Sequence, residues 1–132
     1  MNLIDTNVLV RFLIGDTDIK YVGTRLLFDR LRSGEENVEM LPLVFFQTIF
    51  VLKSFYNIPK EVIADVMLNL LDYPGIILEK KQIYINSLEI WQKNNFEIID
   101  CYLTAIFQTK KYTHLYSYDK AIGKLGVSRK EP

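Results

Sequence analysis

Three aspartates of this chain stand where carboxylate chemistry is plausible. Asp5 closes the first apolar run of "MNLIDTNVLV", Asp100 stands near the start of "EIIDCYLTAIF", and Asp119 directly follows "HLYSY". Carboxylates gathered in one site repel one another, so such a site ordinarily holds a cation between them. Oxygen-only donors suit Mg²⁺ or Mn²⁺. A soft zinc site has too few ligands, because the chain has one cysteine, Cys101, and one histidine, His114. Each aspartate also has a plainer reading. Asp5 caps the helix after it, Asp100 complements a helix N-terminus, and Asp119 caps "KAIG". Convergence of all three on one sheet edge would favour the metal reading over three separate caps.

The elements that must position these acids are legible in outline. "NLID" is apolar and too brief for a helix, so it reads as a buried strand. Asp5 or Thr6 then caps a helix through "TNVLVRFLIG", stopped by Gly15. A second helix covers "DTDIKYVGTRLLFDRLRSG", with Asp16, Thr17 or Asp18 as cap. "VEML" is a second strand, and Pro42 opens the helix "PLVFFQTIFVLKSFY". Pro59 opens another in "PKEVIADVMLNLLDYPG". "IIL" is a third strand, followed by helices in "QIYINSLEIWQKN" and "EIIDCYLTAIFQTKK". "HLYSY" is a fourth strand, "DKAIGKLG" a short helical turn, and "VSR" a last edge strand. Short strands separated by helices need crossover connections. The expected fold is therefore α/β, a three-layer α/β/α sandwich around a short, mainly parallel central sheet. Sites in such sheets form beyond the carboxyl ends of the strands, where Asp5 and Asp119 both stand.

Composition sets the outer bounds. The 132 residues suit one domain spanning residues 1–132 with one core, and 49% hydrophobic content marks a globular chain. Sixteen basic residues balance sixteen acidic ones, so a nucleic-acid partner must be met by a local basic patch. A single cysteine excludes an internal disulfide and fits a reducing cytoplasm. No signal peptide is read at the N-terminus, and the longest apolar stretch, "MLPLVFFQTIFVL", is too short to span a bilayer. The expectation is a soluble cytoplasmic protein with no membrane partner.

The motifs, taken in order, resemble a known family. "LIDTNVLVRFL" is similar to the opening of PIN-domain ribonucleases, most closely the toxins of type II (VapC-like) toxin–antitoxin pairs. "EIIDCYLTA" resembles that family's acid-x-x-Asp helix start, and "LYSYDKAIGKLGV" its Ser/Thr-aromatic-Asp segment. The resemblance runs from about Asn2 to the C-terminal proline. It implies that Asp5, Asp100 and Asp119 are the metal-binding acids and that Thr6 and Asn7 brace the first of them. Ser117 matches the small hydroxyl near the last, and Glu97 an additional acid three residues before Asp100. It further implies Mg²⁺- or Mn²⁺-dependent cleavage of RNA phosphodiesters, a cognate antitoxin protein and a homodimer. The metal would lower the pKa of a bound water and neutralise charge on the phosphate, with no covalent protein nucleophile.

One position departs from the pattern. Where the family carries a helical glutamate, this chain has Gln47, a neutral side chain. Glu97 is one candidate to restore the missing charge. The alternative is a degenerate PIN domain that binds RNA or protein without cleaving it. A phosphotransfer site using Asp5 as nucleophile is disfavoured, because that pattern wants a second Asp where Asn7 stands. Arg11 and Lys120 lie closest in sequence to the acids and are the expected phosphate contacts. Tyr112, Tyr116 and Tyr118 suit stacking on unpaired bases, although their spacing also places some of them in the core. Cys101 and His114 are read as structural. The apolar surplus in "VMLNLL" and "VFFQTIFVLKSFY" suggests helical docking faces for an antitoxin or a second copy.

Overall fold

Every strand is two residues long, and every pairing between strands is parallel. The computed structural model describes residues 1–132, which fall into two units, Met1–Lys81 and Gln82–Pro132. No helix is long and apolar enough to cross a membrane.

In the first unit, β1 (Asn2–Leu3), β2 (Val38–Glu39) and β3 (Ile76–Ile77) form one ladder in that order. Asn2 pairs with Val38, and Val38 with Ile76. Backbone bonds carry the ladder slightly further, from the Ile4 N–H to the Glu39 carbonyl (3.1 Å) and from the Met40 N–H to the Ile77 carbonyl (2.8 Å). Parallel neighbours need helical crossovers. α1 (Thr6–Leu13) and α2 (Val22–Ser33) supply the first, and α3 (Pro42–Ser54) and α4 (Lys60–Leu71) the second. Pro42 opens α3 as expected, whereas Pro59 stands one residue ahead of α4 as its N-cap.

The second helix starts later than the sequence suggests. Asp18 accepts the Lys20 N–H at 3.1 Å and caps a three-residue 3-10 turn, Ile19–Tyr21. Tyr21 then leaves helical geometry, so α2 begins at Val22 with no side-chain cap. The local Asp18 bond satisfies a backbone donor in the tighter turn and breaks the run that periodicity reads as continuous.

α1 packs on α3, and both face a core that includes Leu9, Phe28, Phe45, Ile49, Leu52 and Ile76, all fully buried. Phe12 and Phe28 stack with ring centroids 3.9 Å apart. Phe45, Thr48, Ile49 and Leu52 form the buried stripe of α3 at helical spacing. Gly75 brings the start of β3 against the end of α2: its N–H donates to the Leu31 carbonyl at 2.9 Å. A Cβ at Gly75 would collide with the backbone of Glu36 and Leu31, so only glycine permits this approach.

The second unit holds α5, which starts at Lys81 and ends at Lys93, α6 (Ile98–Phe107), β4 (Leu115–Tyr116) and β5 (Arg129–Lys130). A 3-10 turn, Lys120–Leu125, links β4 to β5. Tyr84, Ser87, Leu88 and Trp91 form the buried face of α5, and Ile98, Cys101, Thr104 and Ala105 that of α6. The Ser87 and Thr104 hydroxyls are satisfied by donating to the Ile83 and Asp100 carbonyls at 2.7 and 2.8 Å.

The fourth strand differs from expectation in its partner. β4 pairs with β5, with the Leu115 N–H donating to the Ser128 carbonyl (2.8 Å) and the Ser117 N–H to Lys130 (3.1 Å). Asp5 and Asp119 therefore follow strands of two separate parallel ladders rather than strands of one continuous sheet.

Candidate functional site

Asp5 lies two residues beyond β1 and caps α1. Its Oδ1 accepts the Asn7 N–H at 2.6 Å, which satisfies an orphan donor of the helix N-terminus. The residue is exposed, and Oδ2 has no partner. Capping and ligation thus need not compete, since each uses a different oxygen. Asn7 braces Asp5 through its backbone rather than its side chain.

Thr6 reaches across to α3. Its hydroxyl donates to Gln47 Oε1 at 2.7 Å. One lone pair of the glutamine oxygen is thereby taken, and the Nε2 amide remains as a free donor. Gln47 and Asp5 line one cleft of about 610 Å³. One wall is the start of α1: Asp5, Thr6, Asn7, Val10 and Arg11. The other is a stripe of α3, Val44, Gln47 and Val51, continuing into Phe55 and Tyr56.

Arg11 lines the same cleft, but its charge is already engaged. It pairs with Asp16 at 3.1 Å and lies over the Tyr21 ring, 4.8 Å from the centroid. A phosphate contact from Arg11 would share its guanidinium with Asp16.

The second unit gathers acids instead. Asp100 sits in the first turn of α6, half-buried, and Glu97 is the residue at that helix's N-cap. The Asp100 carboxyl is pushed above the ordinary aspartate range, first by burial, then by the neighbouring charges of Asp119 and Glu97. Both acids that the sequence associates with Asp100 are thus close enough to act on it. Asp119 caps the 3-10 turn, accepting the Ala121 N–H at 2.9 Å. Ser117 holds the backbone before that cap: its Oγ accepts the Asp119 N–H at 3.0 Å. Arg129 in turn donates to the Ser117 carbonyl at 2.9 Å. Lys120 is exposed beside Asp119.

The remaining candidates divide. Cys101 is fully buried, consistent with packing. His114 is exposed and shares a 3.0 Å hydrogen bond with Ser128 Oγ. Tyr112, Tyr116 and Tyr118 are all exposed, Tyr118 by 75%, so the expectation of a core role for some of them is corrected. A strand of two residues packs too little surface to bury residues on both sides of it. Neither unit on its own collects three acidic, histidine or cysteine side chains into a ready metal cluster. The cleft residues absent from the sequence-based set are Val10, Val44, Val51, Phe55 and Tyr56. Their signal was the i, i+4, i+8 spacing of Gln47, Val51 and Phe55, which places them on one face of α3.

Two features offer groups suited to chemistry: an exposed carboxylate at a cleft with donor groups, and a half-buried carboxylate whose proton affinity is raised by burial and by two acids. No curated protein and no solved structure gives a significant match to the chain. The PIN domain family matches residues 3–127. The helix-rich chain with short parallel strands is consistent with the α/β/α class of that family. With nearly its whole length matched, the chain belongs to the PIN-domain family, whose members are in general nucleases using divalent metals.

Proposed function

We propose that residues 1–132 act as one PIN domain and that the protein is a metal-dependent endoribonuclease, the toxin of a toxin–antitoxin pair in the cytoplasm. The observation that carries the metal reading is the family match over residues 3–127, supported by the exposed Asp5 carboxylate that opens onto a cleft and keeps one oxygen unbonded. Carboxylate oxygens suit a hard divalent cation. The proposed ligands are Asp5, Asp100 and Asp119, assigned from the order of the family motifs along the chain. When bound, Mg²⁺ or Mn²⁺ supplies a lowered pKa for attacking water and neutralises charge on the phosphate.

The chain's own residues bind and orient. Asp5 stays fixed by its cap bond to Asn7 and keeps one oxygen open. Thr6 holds the Gln47 amide, whose free N–H groups suit a phosphate oxygen. Ser117 and Arg129 hold the backbone that presents Asp119. Lys120 adds a cation beside Asp119, and the exposed Tyr116 and Tyr118 offer faces to unpaired bases. The exposed apolar residues Leu43, Phe50 and Val62 of α3 and α4 suit an antitoxin helix or a second copy.

A second reading is favoured by one observation. Gln47 brings no charge, and Thr6 already occupies part of its oxygen, so a domain that binds RNA without cutting it fits the first unit as well. One assay separates the two. The purified protein is expected to cleave single-stranded RNA with Mg²⁺ or Mn²⁺ and to stop with EDTA. Asp5→Asn should lower cleavage by at least about 10³-fold, since several kcal/mol of charge stabilisation depend on the metal. RNA binding without metal-dependent cleavage would establish the second reading; cleavage that survives EDTA would sink the metal mechanism.

A further inference from the structure

The cleft beside Asp5 has two chemically distinct ends. At one stand Asp5, Thr6, Asn7 and Gln47, with their open carboxylate oxygen and free amide donor. At the other stand Val51, Phe55 and Tyr56. Phe55 is 74% exposed, so its ring face is open to a ligand in the cleft. Its position is nonetheless defined. Its N–H donates to the Val51 carbonyl at 3.0 Å, which makes it the C-cap of α3. Its ring meets Tyr56 edge to face, with centroids 4.9 Å apart and planes at 72°. One edge of the ring is thereby braced while most of its surface stays open.

We propose that this end of the cleft is a nucleobase subsite, in which one unpaired base of the RNA stacks on Phe55 while a phosphate lies toward Asp5 and Gln47. The proposal rests on the nuclease reading above and names how the substrate lies in it. A ribonucleotide divides as the cleft does: its phosphate meets the donors of Asn7 and Gln47, with a bound cation needed to offset the Asp5 carboxylate, and its base meets the aromatic end. Gln47, Val51 and Phe55 recur every four residues, so Phe55 stands about 12 Å along α3 from Gln47. That distance selects a base flanking the reacting phosphate. A volume of about 610 Å³ holds a splayed nucleotide. A base inside a duplex presents no free face to a side chain in such a cleft, so single-stranded RNA is selected. The Gln47 amide contributes a donor where a glutamate would repel the phosphate. This gives the departure at position 47 a positive role in substrate binding.

The test measures binding by fluorescence anisotropy. The probes are a short labelled single-stranded RNA and the same RNA carrying one abasic ribose at each position in turn. The proteins are wild type, Phe55→Ala and Phe55→Trp; cleavage by wild type with Mn²⁺ is followed in parallel. Stacking energies of 1–3 kcal/mol per base predict that Phe55→Ala weakens binding by about 5- to 100-fold. Phe55→Trp should bind at least as well as wild type. One abasic position should weaken wild type by a similar factor, and on that RNA the Phe55→Ala loss should vanish. The subsite is overturned if Phe55→Ala binds like wild type, or loses equally on every abasic RNA. It is also overturned if the substitution changes only self-association in sedimentation, which would make the face a protein contact. Cleavage reads the underlying function separately. Cleavage without a Phe55 effect rejects the subsite alone, and a Phe55-dependent base contact without cleavage rejects the nuclease reading alone. Absence of any RNA binding rejects both.

Discussion

Within the first unit Asp5 lines a cleft with neutral polar side chains and one arginine, and within the second Asp100 stands among acids. The first carboxylate accepts a backbone N–H and shares its cleft with the uncharged Thr6, Asn7 and Gln47 and with Arg11, which pairs with Asp16. The second sits half-buried with Asp119 and Glu97 acting on it, and its affinity for a proton is raised as a result. In the first unit the acid caps a helix; in the second, burial first and the neighbouring acids next disfavour the charged carboxylate. Gln47 adds no charge to the cleft of the first unit, whereas Glu97 adds one near Asp100 in the second.

The largest test of this contrast restores charge where it is missing. Gln47→Glu keeps an acceptor for the Thr6 hydroxyl and adds a carboxylate to the Asp5 cleft. A net gain of about 1.4 kcal/mol would tighten Mn²⁺ binding tenfold, measured by titration calorimetry. Unchanged or weaker affinity would mean that position 47 does not face the ion.

A smaller effect follows from removing charge near Asp100. Glu97→Gln should weaken Mn²⁺ a few-fold, because the Glu97 residue is exposed and screened. It should also move the Asp100 carboxyl back toward the ordinary range, read by carbon-detected NMR titration. An unmoved Asp100 would separate Glu97 from the acid cluster.

The smallest effect is on stability. The folded state holds the Asp100 proton more tightly than the unfolded chain does. Stability is thus lost as pH rises from the ordinary aspartate value through the raised one, and stays reduced above it. Asp100→Asn should therefore melt slightly higher than wild type at neutral pH without metal. The gap should close as pH falls below the ordinary aspartate range. Saturating Mn²⁺ should reverse the order, because only the wild type keeps that ligand. Differential scanning fluorimetry at both pH values, with and without Mn²⁺, reads all three; a variant that melts lower at neutral pH without metal would contradict the disfavoured charge at Asp100.

Most helix boundaries and the parallel strand pairing were legible because they depend on near neighbours. Asp5, Asp18 and Asp119 bond N–H groups two residues on, so their capping roles follow from the residues beside them. Short strands separated by helices could pair only in parallel through crossovers. Asp100 with Glu97 was legible for the same reason, at a spacing of three on one helix start. The late start of α2 was not, because a single 3-10 turn competes with the helix by small differences that periodicity does not register.

The sequence by itself determined which residue types could hold a hard metal, the caps that fix Asp5 and Asp119, and a helix-rich α/β chain. Only the tertiary structure decided what surrounds them. The Thr6 hydroxyl meets Gln47 across 41 residues of chain, which turns an apparent vacancy in the acid set into a bonded amide. Gly75 fits against Leu31 and Glu36, and β4 takes β5 as its partner. Asp119 reaches Asp100 electrostatically from a different element. Phe55 lines the Asp5 cleft because α1 packs on α3. Caps and helical periods arise from atoms within a turn of one another. These latter contacts depend on how whole elements pack, which is settled by the sum of many weak apolar contacts rather than by any local residue pattern.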